Sequence, residues 1–359
     1  MFHKKCLLCL ALWNKMWYAK NKRVGIYGKP ERSSGCCRSR TGTASRALNG
    51  TGYVSEEKKK MILKAAEELH YRQNMSVPEP AEHHAGLAAK GKTGIVGLSV
   101  PDMEQPFFAG LLKYLEIELH KLGYHVMMFN SLGVSNRVEE IVEMLEQHII
   151  DGAILNTTES DIPGIGRVGS RIVAYECRPA EGMTQVYSDH RQGGRMAAEE
   201  FLRCGCKKVL QISSDSTFYT PSSERHRILE EILSAEGTEV ITVRLAWTNI
   251  LSYDYYRRSI EEYLRLYPDA DGVFVEDISA YFALKHAEES GISVPEKRKI
   301  VGYDGLDLTR ICQPVITTIV QDIPAIAKIA AGVLVKKING EFVEQNYVIP
   351  VYFQKGGTT

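Results

Sequence analysis

The chain has no apolar run long enough to cross a membrane. Its most apolar opening stretch, Cys6 to Trp13, follows His3-Lys4-Lys5 in the manner of a signal peptide. That stretch is far below the roughly 20 residues a span requires, and no small-x-small cleavage site precedes the basic run Lys20 to Arg23. Net charge is absent as well: 44 Lys and Arg balance 44 Asp and Glu, which argues against nucleic-acid binding by bulk charge. Cysteines are unpaired in pattern. Cys6-x-x-Cys9 has no second pair at zinc spacing, Cys36 and Cys37 are adjacent, and Cys177, Cys204, Cys206 and Cys312 are scattered. This excludes a metal site or disulfide framework and favours buried thiols in a reducing, cytoplasmic compartment. Catalytic signatures are missing too. There is no nucleophile elbow, no G-x-x-x-x-G-K-[ST], no H-E-x-x-H and no Asp/His pairing at fixed spacing. No enzyme activity, cofactor or metal is expected.

What is present divides unevenly. The 359 residues exceed one compact core, and 44% hydrophobic with 25% charged content suits a soluble globular protein of two or three domains. Residues 1–40 carry ten basic side chains and one acid, residues 41–92 eight and six, so the remainder carries −11. A basic end on an acidic body suits a small nucleic-acid module joined to a soluble sensor, or is simply a tail.

The stretch Thr41-Gly-Thr-Ala-Ser-Arg-Ala-Leu-Asn-Gly50 reads as a short helix stopped at Asn49-Gly50, where both residues tolerate positive φ. Ser55 then reads as an N-cap with glutamates in the first turn, and Met61, Ile62, Ala65, Ala66 and Leu69 form one apolar helical face. This order, through Tyr71 and Asn74, resembles the lactose-repressor (LacI/GalR) family of bacterial transcription regulators, whose headpiece runs T-V-S-R-V-L-N-G, a turn, then V-S-x-x-x-R-x-x-V-x-x-A-x-x-L-x-Y-x-x-N. The resemblance implies a partial helix-turn-helix headpiece over 41–74. Its short helix would enter the major groove, with Thr41 and Gly42 facing bases, Thr43 and Ser45 on phosphates and Arg46 at a guanine edge; Asn49 and Tyr53 complete the expected DNA-binding set.

The family would place a first helix, K-D-V-A-x-x-A-G-V, just before Thr41, and none is written there. A one-base shift of the possible codons for Tyr27 to Arg40 permits M-A-N-L-K-E-V-A-V-A-A-G-V-G, in register with Thr41. Residues 1–40 are therefore expected to be an aberrant, frameshifted segment; the competing reading is a divergent extension. Residues 75–92 form a linker with Pro78 and Pro80. Here the family has a hinge helix that wedges a leucine into the minor groove, so Leu87 is either that wedge or an ordinary linker residue.

From Thr93 onward strands and helices alternate. Strand patterns occupy 94–101, 124–129, 152–155, 171–175, 208–212, 239–244, 272–275 and 299–303, with helical patterns at 107–122, 136–148 and 191–203. This predicts an α/β fold of doubly wound parallel sheets in two lobes, with ligands at the carboxyl ends of strands. Lobe 1 is expected at about 93–190 and 322–350, lobe 2 at about 191–321 and 351–359. Several blocks are again similar to the family's effector core, itself similar to periplasmic sugar-binding proteins: Val100 to Ala109, Tyr187 to Gly194, Gly291 to Pro295, Val301 to Gly305 and Thr317 to Asp322.

Carboxylates just after predicted strands accept hydrogen bonds from hydroxyls, and aromatic faces cover sugar rings. Asp102, Glu176, Asp189, Asp277 and Asp304 follow strands; Phe107, Phe108 and Trp247 offer faces, and Arg225 offers a two-pronged donor. The resemblance implies effector contact at Phe108, Glu176, Arg225, Trp247, Asp277, Asp304 and Gln321, and Phe107 and Asp189 complete the expected set. Strand-end caps, salt bridges and core aromatics are the competing reading for each. Glu176 stands for the family's Asp, Glu276-Asp277 for Asn-Asp and Ile228 for a Gly, so specificity does not transfer. The expected protein is a sequence-specific regulator, a repressor, acting as a homodimer on near-palindromic operator DNA under control of a small ligand, a sugar, with no membrane partner. The alternative is an extracytoplasmic sugar-binding protein of the same core fold, which would leave residues 41–74 unexplained.

Overall fold

The computed structural model describes residues 53–60, 62, 91–131, 137–157, 159, 162–215, 220–246 and 252–359. The chain forms two compact units, 1–80 and 81–359. In the first, residues 56–60 are helical, Lys59 N–H donates to the Ser55 carbonyl at 2.9 Å, and Tyr53 is 92% exposed. Thr41, Gly42, Thr43, Ser45, Arg46, Asn49 and Leu87 lie outside the described residues, as does the expected shifted segment. No described helix is long and apolar enough to cross a membrane.

The second unit holds two six-stranded sheets wound the same way. The first contains β1 (Ile95–Val100), β2 (His125–Asn130), β3 (Gly152–Leu155), β4 (Ile172–Tyr175), β5 (Gln185–Ser188) and β11 (Asn346–Ile349), in the order β11-β5-β4-β3-β1-β2. The second contains β6 (Lys208–Asp215), β7 (Glu239–Ala246), β8 (Gly272–Phe274), β9 (Lys299–Asp304), β10 (Thr317–Gln321) and β12 (Val351–Gln354), in the order β12-β10-β9-β8-β6-β7. All pairings are parallel except β10 with β12. Winding reverses between the first and third strands of each sheet, the switch point at which such sheets open a crevice at their carboxyl ends.

Helices cover both faces, which is why the strands read as near-continuous apolar runs. In chain order they are α1 (Pro106–Lys121), α2 (Arg137–Glu146), α3 (Ile165–Val168), α4 (His190–Arg203), α5 (Ser223–Ala235), α6 (Tyr253–Leu266), α7 (Asp277–Glu289), α8 (Leu308–Ile311) and α9 (Ile323–Ile338). Each sheet has two cores. The first packs Leu98, Leu115 and Leu334 on one face and Ile141, Leu145 and Ile172 on the other. The second packs Ile260, Val273 and Ile300 on one face and Phe201, Leu229 and Phe274 on the other.

Two helices are exchanged. α4 follows β5 of the first sheet but packs on the second; α9 follows β10 yet packs on α1. A matched device seats both. The third strand of each sheet begins with Asp-Gly. Asp151 accepts the backbone N–H groups of Thr93 and Gly94 at 2.9 and 2.7 Å, and Asp271 accepts those of Lys207 and Lys208 at 2.9 Å. The following glycines leave room for the exchanged helices. A Cβ at Gly152 would lie 2.7 Å from Ile338 of α9, and one at Gly272 3.0 Å from Phe201 of α4.

Candidate functional site between the two sheets

The fourth strand of each sheet ends alike. β4 ends in Tyr175-Glu176 and β9 in Tyr303-Asp304, and each acid sits in the left-handed region, φ 52° for Glu176 and 119° for Asp304. Non-glycine residues adopt that backbone at a cost of order 1–3 kcal/mol, a strain that clusters at functional sites. The fifth strands also end alike, in Ser188-Asp189 and Gln321-Asp322. Asp189 caps α4 by accepting the Gln192 N–H, and Asp322 caps α9 by accepting the Ala325 N–H, both at 2.9 Å. Capping there satisfies donors the helix start leaves open.

Hydrogen bonds join the two sheets at these ends. Ser188 Oγ–H donates to Gln321 Oε1 at 2.6 Å, and Gln321 Nε2–H donates to Asp304 Oδ1 at 2.8 Å. Glu176 accepts the Ser188 N–H at 2.8 Å and His190 Nε2–H at 2.7 Å. The other ring nitrogen, His190 Nδ1, lies 2.9 Å from the Tyr303 hydroxyl. Asp189 N–H donates to the Ile349 carbonyl at 2.7 Å. The three points where the chain passes between sheets, at 188–190, 321–323 and 349–351, thus lie within one polar network.

Ring contacts differ between the two tyrosines. Phe107, in the first turn of α1, stacks on Tyr175 with centroids 6.3 Å apart and meets Phe108 edge-on at 5.5 Å. Arg225, in the first turn of α5, lies 4.2 Å over the Tyr303 ring. Close approach at the start of α4 permits this: a Cβ at Gly193 would meet the Tyr303 hydroxyl at 2.4 Å, and one at Gly194 the Arg225 carbonyl at 2.3 Å.

Burial governs the electrostatics. The Asp304 carboxyl is pushed up to about 7 by burial, with Arg225 and the Gln321 bond pulling it back and Glu276 and Glu176 pushing it further. Burial raises Glu276 as well, although Ser279 Oγ–H donates to it at 2.5 Å. His226 is held well below the usual imidazole range, first by burial and then by Arg225 and His190. Its neutral ring accepts from Arg225 Nε–H at 3.3 Å and faces Gln211 Oε1 through Nδ1 at 3.0 Å.

Of the residues singled out from sequence, Phe107, Phe108, Glu176, Asp189, Arg225, Asp304 and Gln321 gather at the facing strand ends. Asp277 does not. It is 0% exposed, and its oxygens accept the Leu306 N–H at 2.7 Å and Thr318 Oγ1–H at 2.6 Å. The acid expected at the effector instead turns into lobe 2 and ties the loop after β9 to β10. Trp247 lies outside the described residues, and Asp102 accepts the Glu104 N–H at 3.0 Å. Sequence reasoning missed Tyr175, His190, Tyr303 and Glu276 as members of the site. The repeated Tyr-acid pair closing two apolar strands was the available signal. Among the described residues no group of three or more His, Cys, Asp or Glu could hold a metal ion.

Comparison with known proteins agrees with this architecture. A family model for bacterial regulatory proteins of the lacI family matches residues 41–74, and one for a periplasmic binding protein-like domain matches 181–359. The sucrose operon repressor of Streptococcus mutans is 30% identical over 316 residues, covering 88% of this chain and 94% of that protein. The ribose operon repressor of Halalkalibacterium halodurans is 29% identical over 314 residues, covering 86% and 90%. A crystal structure of a periplasmic binding protein/LacI transcriptional regulator from Alkaliphilus metalliredigens, complexed with D-xylulofuranose, superposes with a TM-score of 0.65 at 24% identity, covering 74% of this chain and 99% of that one; it shares the fold. The chain belongs to the LacI family of bacterial transcriptional regulators.

Proposed function

We propose that this protein is a transcriptional repressor that works as a homodimer on a near-palindromic operator in the cytoplasm, and that a sugar bound between its two sheets sets its affinity for DNA. One observation carries the effector site: Glu176, Arg225, Asp304 and Gln321, from both sheets, meet where all three chain crossings pass. A ligand held there touches both lobes and the hinge at once. The names of the relatives support the reading, being sucrose and ribose operon repressors, as does the sugar in the Alkaliphilus structure.

The site's chemistry suits the task. Glu176 and Asp304 accept from hydroxyls, Arg225 donates two prongs, and Phe107 and Phe108 present ring faces. Asp189 stands at the head of α4, so motion of a ligand against it passes to the exchanged helix. The sugar changes operator affinity only by as much as it prefers one lobe arrangement to the other. In the headpiece Arg46 reads a base edge, while Thr43 and Ser45 hold phosphates.

Calorimetry of the full chain with a panel including sucrose, ribose and xylulose tests this, followed by DNA retention with and without the sugar that binds. Arg225→Ala and Asp304→Ala are each expected to weaken binding at least about tenfold. A sugar that binds both variants with unchanged affinity would place the effector elsewhere.

A further inference from the structure

Arg225 is fastened at two places. Its guanidinium carbon lies 4.2 Å over the Tyr303 ring, and its Nε–H donates to His226 Nε2 at 3.3 Å. The two supports are themselves joined. The His226 ring tilts against Phe274 with centroids 5.4 Å apart, and Phe274 meets Tyr303 edge-on at 6.1 Å. One ring face and the Nε edge of the guanidinium are thus occupied. Its outer edge, Nη1 and Nη2, makes no hydrogen bond to the described residues and is left for a bound molecule.

An imidazole nitrogen accepts from Arg225 only where it carries no hydrogen, so in a neutral ring the other nitrogen must carry it. Burial keeps this ring neutral. What lies beyond His226 fixes the choice of nitrogen. Nδ1 faces Gln211 Oε1 at 3.0 Å. Gln211 is 0% exposed, so both ends of its amide need partners. Its Nε2 donates to Thr242 Oγ1 at 2.8 Å and to Glu230 Oε2 at 3.3 Å, and the Thr242 hydroxyl donates to the same Glu230 oxygen at 3.2 Å. A carboxylate accepts, so every donor in the series points from the site toward Glu230: Arg225 to His226, His226 to Gln211, Gln211 to Glu230. Reversing the series would set the Gln211 amide oxygen against the Glu230 carboxylate and His226 Nε2–H against Arg225 Nε–H. The partners therefore assign one tautomer, with the hydrogen on Nδ1. Glu230 is exposed on α5, so the series runs from the strand ends to the surface of lobe 2.

We propose that His226 is a positioning residue for Arg225, held as the Nδ1–H tautomer by Gln211 and Glu230, and that this series governs how tightly the effector is bound by acting through Arg225. The inference rests on the reading of Arg225 as an effector contact and adds the residues that aim it.

Calorimetry of the full chain, with whichever of sucrose, ribose and xylulose binds most tightly, tests it. Gln211→Met is expected to weaken binding about fivefold or more in the wild-type background, and less than about twofold where Arg225→Ala is already present, because the series acts only through Arg225. His226→Leu should cause a similar loss. His226→Gln, whose amide oxygen can replace Nε2 as acceptor, should recover most of it. Equal losses in both Arg225 backgrounds, or equal losses from His226→Leu and His226→Gln, overturn the inference, since the residues then serve packing alone. A second readout needs no sugar. Nitrogen NMR of the full chain labelled at histidine, with the His226 signals identified by their disappearance in His226→Leu, should show Nδ1 protonated in wild type and a mixture of tautomers in Gln211→Met. Protonation of Nε2 in wild type overturns the inference and leaves the sugar reading standing. Unchanged sugar binding by Arg225→Ala, or no binding of any of the three sugars, overturns the effector reading and this inference with it; an Nδ1–H tautomer beside that result shows that the reading of the site was at fault and the series was not.

Discussion

The two sheets share strand order, the Asp-Gly start of the third strand, the Tyr-acid end of the fourth and an aspartate-capped helix after the fifth. They part company in what sits around the tyrosine. In the first sheet Tyr175 has an aromatic neighbour and an unmatched hydroxyl; in the second Tyr303 has a guanidinium over its ring and a histidine on its hydroxyl. Repetition of the frame places two similar strand ends opposite one another. Divergence of the neighbours gives one lobe the ring faces and an open donor, and the other the charges. Each lobe thus brings different groups to the strand ends: the Tyr175 hydroxyl and the Phe107 ring in the first, Arg225 and Asp304 in the second.

Substitutions that break this comparison should do so lobe by lobe. The largest effect is expected at Asp277, whose two oxygens take two buried donors from the second sheet's side of the chain. Asp277→Ala leaves the Leu306 N–H and the Thr318 hydroxyl buried and unmatched, at about 4 kcal/mol together. Urea denaturation followed by amide exchange should show lobe 2 loosened and the amides of β1 and β3 unchanged. Equal loosening of both sheets would deny the lobes separate stabilities.

Next comes pH. Asp304 has a folded value of about 7 against an ordinary carboxylate value near 3.8. Its folded form holds the proton that the unfolded chain releases, so stability falls as pH rises from about 4 to 7 and is level above that. At about 1.4 kcal/mol per pKa unit, the loss attributable to this group is on the order of 4 kcal/mol. Asp304→Asn should flatten the pH dependence of urea midpoints in that window; an unaltered slope would mean another group is responsible.

A smaller effect is expected at the head of α4. Gly194→Ala forces a Cβ against the Arg225 carbonyl, and backbone cannot swing aside as a side-chain end can. The cost is about 2 kcal/mol, together with weaker ligand binding through displaced Arg225. A melting temperature and an affinity both equal to wild type would contradict the close packing of α4 on α5.

The tyrosines give the smallest and sharpest contrast. Tyr303→Phe removes a made hydrogen bond and costs about 1 kcal/mol, whereas Tyr175→Phe removes an unmade one and should leave stability within about 0.5 kcal/mol. Equal costs in the unliganded protein would mean that Tyr175 is already partnered.

Much of the frame is legible in the amino-acid sequence. The near-continuous apolar runs of β1, β3, β4, β8 and β9 mark strands buried on both faces, and alternation with helices marks a parallel sheet. β11 and β12 are not legible there. Asn346–Ile349 and Val351–Gln354 are short edge strands in which only Ile349 and Val351 are buried, and nothing local tells that β12 runs antiparallel. In the site, acids after strands can be read from spacing, but their directions cannot. Asp277 and Asp304 look equivalent in sequence, yet one starts α7 and turns inward to Thr318, while the other takes a left-handed backbone that aims it at Gln321. His190 and Tyr303 are 113 positions apart, and only the exchange of α4 onto the second sheet brings them together. Tyr175 is hidden because it reads as one more apolar strand residue.

The central claim is that one ligand is shared by both lobes at these strand ends. A double-mutant cycle tests it most directly, with calorimetry of the full chain and the tightest-binding sugar on wild type, Glu176→Gln, Asp304→Asn and the double variant. Each single change, in a different sheet, is expected to weaken binding about tenfold or more. The double change is expected to cost less than the product of the two, because both groups hold the same molecule. Loss confined to variants of one sheet, with the other at wild-type affinity, would contradict the claim.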